Sequence, residues 1–136
     1  MRFLQTDLND ALLDGMAGGI IREDNGEIVY ATPLLEDLFG YTMKGELSLP
    51  GTAVEVLVPA ASRELHRDTH RPVYKMDSRL RVMGQGKVLT GQRKDGSMFP
   101  VSVMLRGRVI NGVRCVIFNV MDMTGWGGEG GSVGEP

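Results

Sequence analysis

The apolar positions of this chain change period along its length, and each change marks an element. Residues 3–16, FLQTDLNDALLDGM, place Phe3, Leu4, Leu8, Leu12 and Met16 near helical spacing. The pattern predicts an amphipathic helix, with Thr6, Asp7 and Asp10 able to cap or start it. Gly15, Gly18 and Gly19 break it, and two short strands follow, Gly19 to Arg22 and Glu27 to Ala31. Asn25-Gly26 joins them, a pair that accepts positive φ in a tight hairpin turn. Thr32-Pro33 then opens a helix with a capping hydroxyl and a proline in the first turn. Leu34, Leu35, Leu38 and Phe39 give it a buried face, and Gly40 ends it. Between Tyr41 and Pro59 the pattern supports only brief helical turns. Residues 60–71, AASRELHRDTHR, read as helical up to Pro72, which cannot continue the helix. Arg63, Arg67, Arg71 and, past the proline, Lys75 recur every four residues as a solvated face.

From Val82 to Leu105 the period becomes that of a long β-hairpin. Asp95-Gly96 supplies its turn, and Phe99, Val101, Val103 and Leu105 alternate with outward positions, so one face is buried. The preceding arm, Lys87 to Lys94, is polar enough for a sheet edge. Gly84, Gly86 and Gly91 within it mark a bulge or a close approach to the backbone. After an Asn111-Gly112 turn, Val113 to Met121 is apolar on both sides, as a central strand requires. The tail, WGGEGGSVGEP, reads as disordered, with Trp126 docked or exposed. Five strands, two before a helical middle and three after it, predict an α+β fold with an antiparallel sheet and helices on one face.

Composition narrows the class. A chain of 136 residues with 42% hydrophobic content suits one compact domain. No apolar run approaches the roughly 20 residues of a bilayer span, and MRFLQTDLND lacks the apolar region of a signal peptide. These features predict a cytoplasmic protein without membrane partners. The single cysteine, Cys115, can form no internal disulfide and fits a reducing compartment. The net charge of −2 hides an asymmetry: residues 1–61 hold three bases and ten acids, and residues 62–124 twelve and five, so that −7 opposes +7 before a tail of −2. The two halves attract each other, or the basic half meets an acidic partner. With 6% aromatics and no arginine-rich run, nucleic acid is not an expected partner. Glu23-Asp24 and Glu36-Asp37 are sequence neighbours whose side chains diverge, and no serine, histidine and carboxylate constellation appears. The motif GQG at 84–86 lacks the spacing of a phosphate loop. No enzymatic activity is expected.

Several separated motifs, in order, resemble the PAS domain family of sensory and signalling modules. GIIREDNGEIVYATPLLEDLFGYT resembles the family's first two strands and first core helix. QRKDGSMFPVSV resembles its most regular hairpin, and VMDMT, Val120 to Thr124, its closing strand. Spacing gives an N-terminal helix over 1–16 and composition a disordered tail over 125–136, and between them the resemblance implies a PAS domain over 17–124. It further implies a five-stranded antiparallel sheet with short helices packed on one face and a pocket between them. In such domains the pocket holds haem, a flavin, a small metabolite or nothing, and the output is a change in dimer or effector contacts. Val82, Lys87, Val101, Val103, Leu105 and Phe118 are the expected pocket residues. Phe3, Leu4, Leu8 and Leu12 are the expected homodimer interface, and a separate effector protein would receive the signal in trans.

MGQGKVLTG, Met83 to Gly91, is similar to the corresponding stretch of haem-binding oxygen-sensor members. There a helix histidine ligates iron, a role that would fall to His66 or His70, with Lys87 in the position facing the gas. This chain departs from that pattern: counted without a gap, the ligand position falls on Arg67, Lys87 replaces an arginine, and Phe118 replaces a small residue. Arg2-Phe3-Leu4-Gln5 repeats residues that follow the reactive cysteine of light-sensing members, but Met1 precedes them here. Cys115 lies in a late strand, so a thiol-adduct photocycle is excluded, and a non-photochemical flavin lacks any tryptophan within the domain. The expected function is a sensor that binds a small ligand or cofactor and signals by association. The alternatives are a ligand-free dimerisation module and a haem-based gas or redox sensor.

Overall fold

The computed structural model describes residues 4–41, 48–70 and 79–126. Helix α1 spans Gln5–Asp14, strand β1 Gly18–Arg22, β2 Ile28–Ala31 and helix α2 Pro33–Phe39. A single 3₁₀ turn, Val54–Leu57, and a broken helical segment over 60–70 lead to β3, Arg81–Val82. Beyond it come β4, Leu89–Gln92, β5, Met98–Ile110, and β6, Val113–Asp122. The strands form one antiparallel sheet in the order β2-β1-β6-β5-β3, with β4 also paired to β5.

The sheet thus has six strands where the pattern implied five. The extra one arises because the arm before Asp95-Gly96 is not continuous: Arg81 and Val82 pair with Leu105 and Met104, and Leu89 to Gln92 pair with Val101 to Met98. Between them Met83–Gly86 winds into a 3₁₀ turn, with Gly84 at φ 66°. Glycine reaches that region without the penalty a Cβ imposes, so these glycines interrupt the strand. Gly91 is different. A Cβ there would stand 3.1 Å from the Phe39 ring, so its hydrogen lets α2 approach β4. The same role falls to Gly19, where a Cβ would lie 2.7 Å from the Phe118 ring and 2.9 Å from the Tyr30 carbonyl.

Thr32 caps α2 as its sequence predicts, accepting from the Leu35 amide at 3.3 Å. It also accepts from the Gly18 amide at 3.0 Å and donates to the Met16 carbonyl at 2.5 Å, tying the helix start to β1. Gly40, at φ 80°, closes the helix in the left-handed conformation. The buried face is Leu35, Glu36 and Phe39, with Leu38 half-buried against the core as expected; Leu34 is exposed, contrary to the sequence expectation. Glu36 is tolerated in the core because its Oε2 accepts from the Leu49 amide at 2.6 Å and so anchors the loop after the helix.

Residues 60–70 are not one helix. They form a 3₁₀ turn over Ala60–Ser62, one α turn over Arg63–Leu65 and a π turn over His66–His70. Arg63 belongs to the interior of this segment rather than to a solvated face: its Nε donates to the Val58 carbonyl at 2.9 Å and its guanidinium reaches Gln92 at 3.1 Å. Arg67 is exposed beside Asp68 at 2.9 Å, and Arg71 and Lys75 lie outside the described residues. Trp126 is exposed, and the remaining tail positions, 127–136, lie outside the described residues. Among the described residues no helix is long and apolar enough to cross a membrane.

Candidate ligand cavity

Register determines which side chains meet inside the sheet. Leu105 pairs with Phe118, Val103 with Val120 and Gly107 with Val116, and cross-strand partners share a face. β5 and β6 therefore present Val101, Val103, Leu105, Val116, Phe118 and Val120 inward. Opposite them stand Phe39 of α2, Val54 and Leu57 of the 3₁₀ turn, and Met83 and Leu89 from the edge segment. Between these layers lies a cavity of about 110 Å³. Its floor is dense: Phe39 meets Phe99 edge to face at 5.1 Å, and the Arg93 guanidinium covers the Phe99 ring at 4.0 Å.

Val101, Val103, Leu105 and Phe118 line the cavity, while Val82 and Lys87 do not. Val82 pairs with Met104, one step out of phase with Leu105, and that register puts it on the outer face, where it is 42% exposed. Lys87 follows the 3₁₀ turn and is exposed. Met83, which the turn carries inward, takes the wall position that Val82 was expected to fill.

The polar part of the wall is His66. Its Nδ1 lies 2.7 Å from Oε2 of Glu55, with side-chain exposures of 14% and 9%. An ionised carboxylate only accepts, so in that state the ring N–H donates and Glu55 fixes the plane of the imidazole. Arg67, at the position that an ungapped alignment assigns to a ligand, faces solvent; the π turn brings His66 to the wall instead. The His70 side chain lies outside the described residues. Glu23 also borders the cavity and pairs with Arg114 at 3.1 Å. Glu55, in the run VEVL, carried no sequence signal because its partner is eleven residues away in another turn. Ile21 and Phe39 could have been found from the β1–β6 register and the glycine at 91.

Between the described residues the cavity measures about 110 Å³, and His66 is the described imidazole on its wall. Among the described residues no group of three or more His, Cys, Asp and Glu side chains gathers to hold a metal. Away from the cavity, Leu4, Leu8 and Leu12 are 62%, 42% and 64% exposed, no residue of α1 is buried, and Phe3 lies outside the described residues.

No protein-family model matches the chain. The solved PAS domain of an HTR-like protein from Haloarcula marismortui superposes with a TM-score of 0.67 at 16% identity, over 86% of this chain and 90% of that one. The chain adopts the PAS fold. Two curated proteins are similar in sequence to this chain. Sensor protein FixL of Bradyrhizobium diazoefficiens is 31% identical over 86 residues, which is 63% of this chain and 16% of FixL. Oxygen sensor protein DosP of Escherichia coli is 29% identical over 87 residues, which is 64% of this chain and 10% of DosP. The chain thus spans a small part of the length of either relative.

Proposed function

We propose that this PAS domain is a sensory module that holds a small ligand in the cavity between sheet and helices and passes its occupancy on through self-association of α1. The observation that carries the reading is the cavity itself: aliphatic and aromatic walls with one oriented imidazole, the combination of apolar lining and few placed polar groups that ligand sites show. The sequence similarity to FixL, a sensor, and DosP, an oxygen sensor, supports a sensory role. The apolar stripe of Leu4, Leu8 and Leu12 supports association with a second copy, because α1 buries none of it within its own chain. The signal would then pass through the dimer, and no chemical step is assigned to the domain.

A set of neutral, cationic and anionic fragments, titrated into the isotope-labelled chain, tests the ligand half of the reading. At least one class should give saturable amide shifts at Gly91, Val103 and Phe118. If no class does, the domain is a ligand-free association module.

A further inference from the structure

Resting on the reading of α1 as the association element, we propose that α1 of one copy docks on the outer face of the sheet of a second copy, where Asp10 and Asp14 latch onto Arg106 and Arg108.

Register defines that outer face. Leu105 and Gly107 pair with Phe118 and Val116 on the cavity side, so Met104, Arg106 and Arg108 of β5 and Ile117, Asn119 and Met121 of β6 point the other way. Ile20 of β1 joins them, paired with Ile117 on one side and with Tyr30 on the other. The result is an apolar strip along β6 and β1 with two arginines beside it on β5. Tyr30 and Met121 are exposed, and Ile20, Met104 and Ile117 are half-buried. Contiguous apolar surface of this kind, rimmed by charge, marks an interaction site.

Helix α1 complements the face. Leu4, Leu8 and Leu12 form one stripe, and Asp7, Asp10 and Asp14, spaced by three and four residues, form a second stripe on the same helix. The helix contains no basic residue. All three aspartates and both arginines are exposed. Among the described residues none of these five side chains makes a hydrogen bond or ion pair. Within its own chain α1 leaves the face uncovered, since no residue of the helix is buried.

The spacings agree. Leu4 to Leu12 covers about 12 Å of helix, and Ile117 to Met121 about 14 Å of strand. Asp10 and Asp14 stand about 6 Å apart along the helix, and Arg106 and Arg108 about 7 Å apart along β5. A helix laid along β6 thus sets its leucines on the apolar strip while its acidic flank meets the arginines. A second copy supplies helix and sheet reciprocally, so a dimer makes the contact twice.

Two charge-reversed full-length chains test the latch in sedimentation velocity: Asp10→Arg with Asp14→Arg, and Arg106→Asp with Arg108→Asp. Each alone should associate at least about tenfold more weakly than wild type, because like charges then oppose across the interface. An equimolar mixture should regain association, since each reversed helix meets a reversed sheet. Indifference to both reversals, or a mixture no stronger than its components, overturns the proposal. Raising salt to about 1 M, where the screening length falls to about 3 Å, should weaken wild-type association. If a reversed chain loses its folded circular dichroism, this salt response decides, and association that holds or strengthens with salt overturns the latch. A monomeric wild type whose melting temperature falls with either reversal would place α1 on its own sheet and overturn the proposal too. A wild-type chain that never associates refutes α1 as the association element, whereas an associating chain indifferent to the reversals refutes only the latch.

Discussion

Glu55 and His66 hold the wall of the cavity together at the scale of single residues. Both side chains are largely removed from water, and their 2.7 Å contact bridges two turns that share no continuous backbone ladder. Removing one member leaves a buried polar group to be desolvated without return, an effect of about 1–3 kcal/mol. Glu55→Ala should therefore lower unfolding stability in urea by about that amount, and Glu55→Gln by less, since the amide oxygen still accepts from the ring. Equal stability of wild type and Glu55→Ala would show that the pair contributes nothing to the wall. At this scale the inward residues of β5 were legible, because Phe99, Val101, Val103 and Leu105 alternate and period two fixes a face. Val82 was misplaced because alternation was carried through a segment where the backbone turns. Glu36 and Glu55 were invisible, since burial of a carboxylate depends on an amide or imidazole supplied by distant residues.

At the scale of elements the turns and caps were readable and the helical middle was not. Asn25-Gly26, Asp95-Gly96 and Asn111-Gly112 all carry positive φ at glycine, and Asn111 itself sits at 50°. Thr32-Pro33 and Gly40 bound α2 as the chemistry of caps requires. In residues 60–70 the periodicity implied one helix, whereas the bonds of Arg63 to the Val58 carbonyl and to Gln92 accompany a change from 3₁₀ through α to π geometry. Helix α1 follows its periodicity but starts at Leu4 without a side-chain cap, so Thr6 and Asp7 lie inside it. With no residue of α1 buried, deleting residues 1–16 should leave the melting temperature of the domain within a few degrees. It should also convert the associated chain to monomer in sedimentation velocity. Unchanged association after the deletion would remove α1 from the interface.

Across the whole molecule, one ion pair and one hydrogen bond join side chains of the acidic first half to the second half. Glu23 meets Arg114 as an ion pair across the β1–β6 junction, and Glu55 meets the His66 ring at 2.7 Å. The sheet order that places β1 beside β6 brings the ends of the domain into register, so the inner face of one sheet carries the cavity while α1 emerges beside it. A change in cavity volume is in this way one strand removed from the chain that enters the sheet: the Val120 amide donates to the Ala17 carbonyl at 2.8 Å, and Val120 also lines the cavity. That contact puts Ala17, three residues beyond α1, one hydrogen bond from the cavity wall, and it makes the proposed coupling measurable. Val103→Trp places an indole in the cavity as a permanent occupant. Sedimentation velocity of this variant against wild type, with circular dichroism confirming the fold, should show an association constant shifted by about 5–150-fold, the usual range of coupling between two sites. A folded Val103→Trp chain that associates as wild type does would contradict the account.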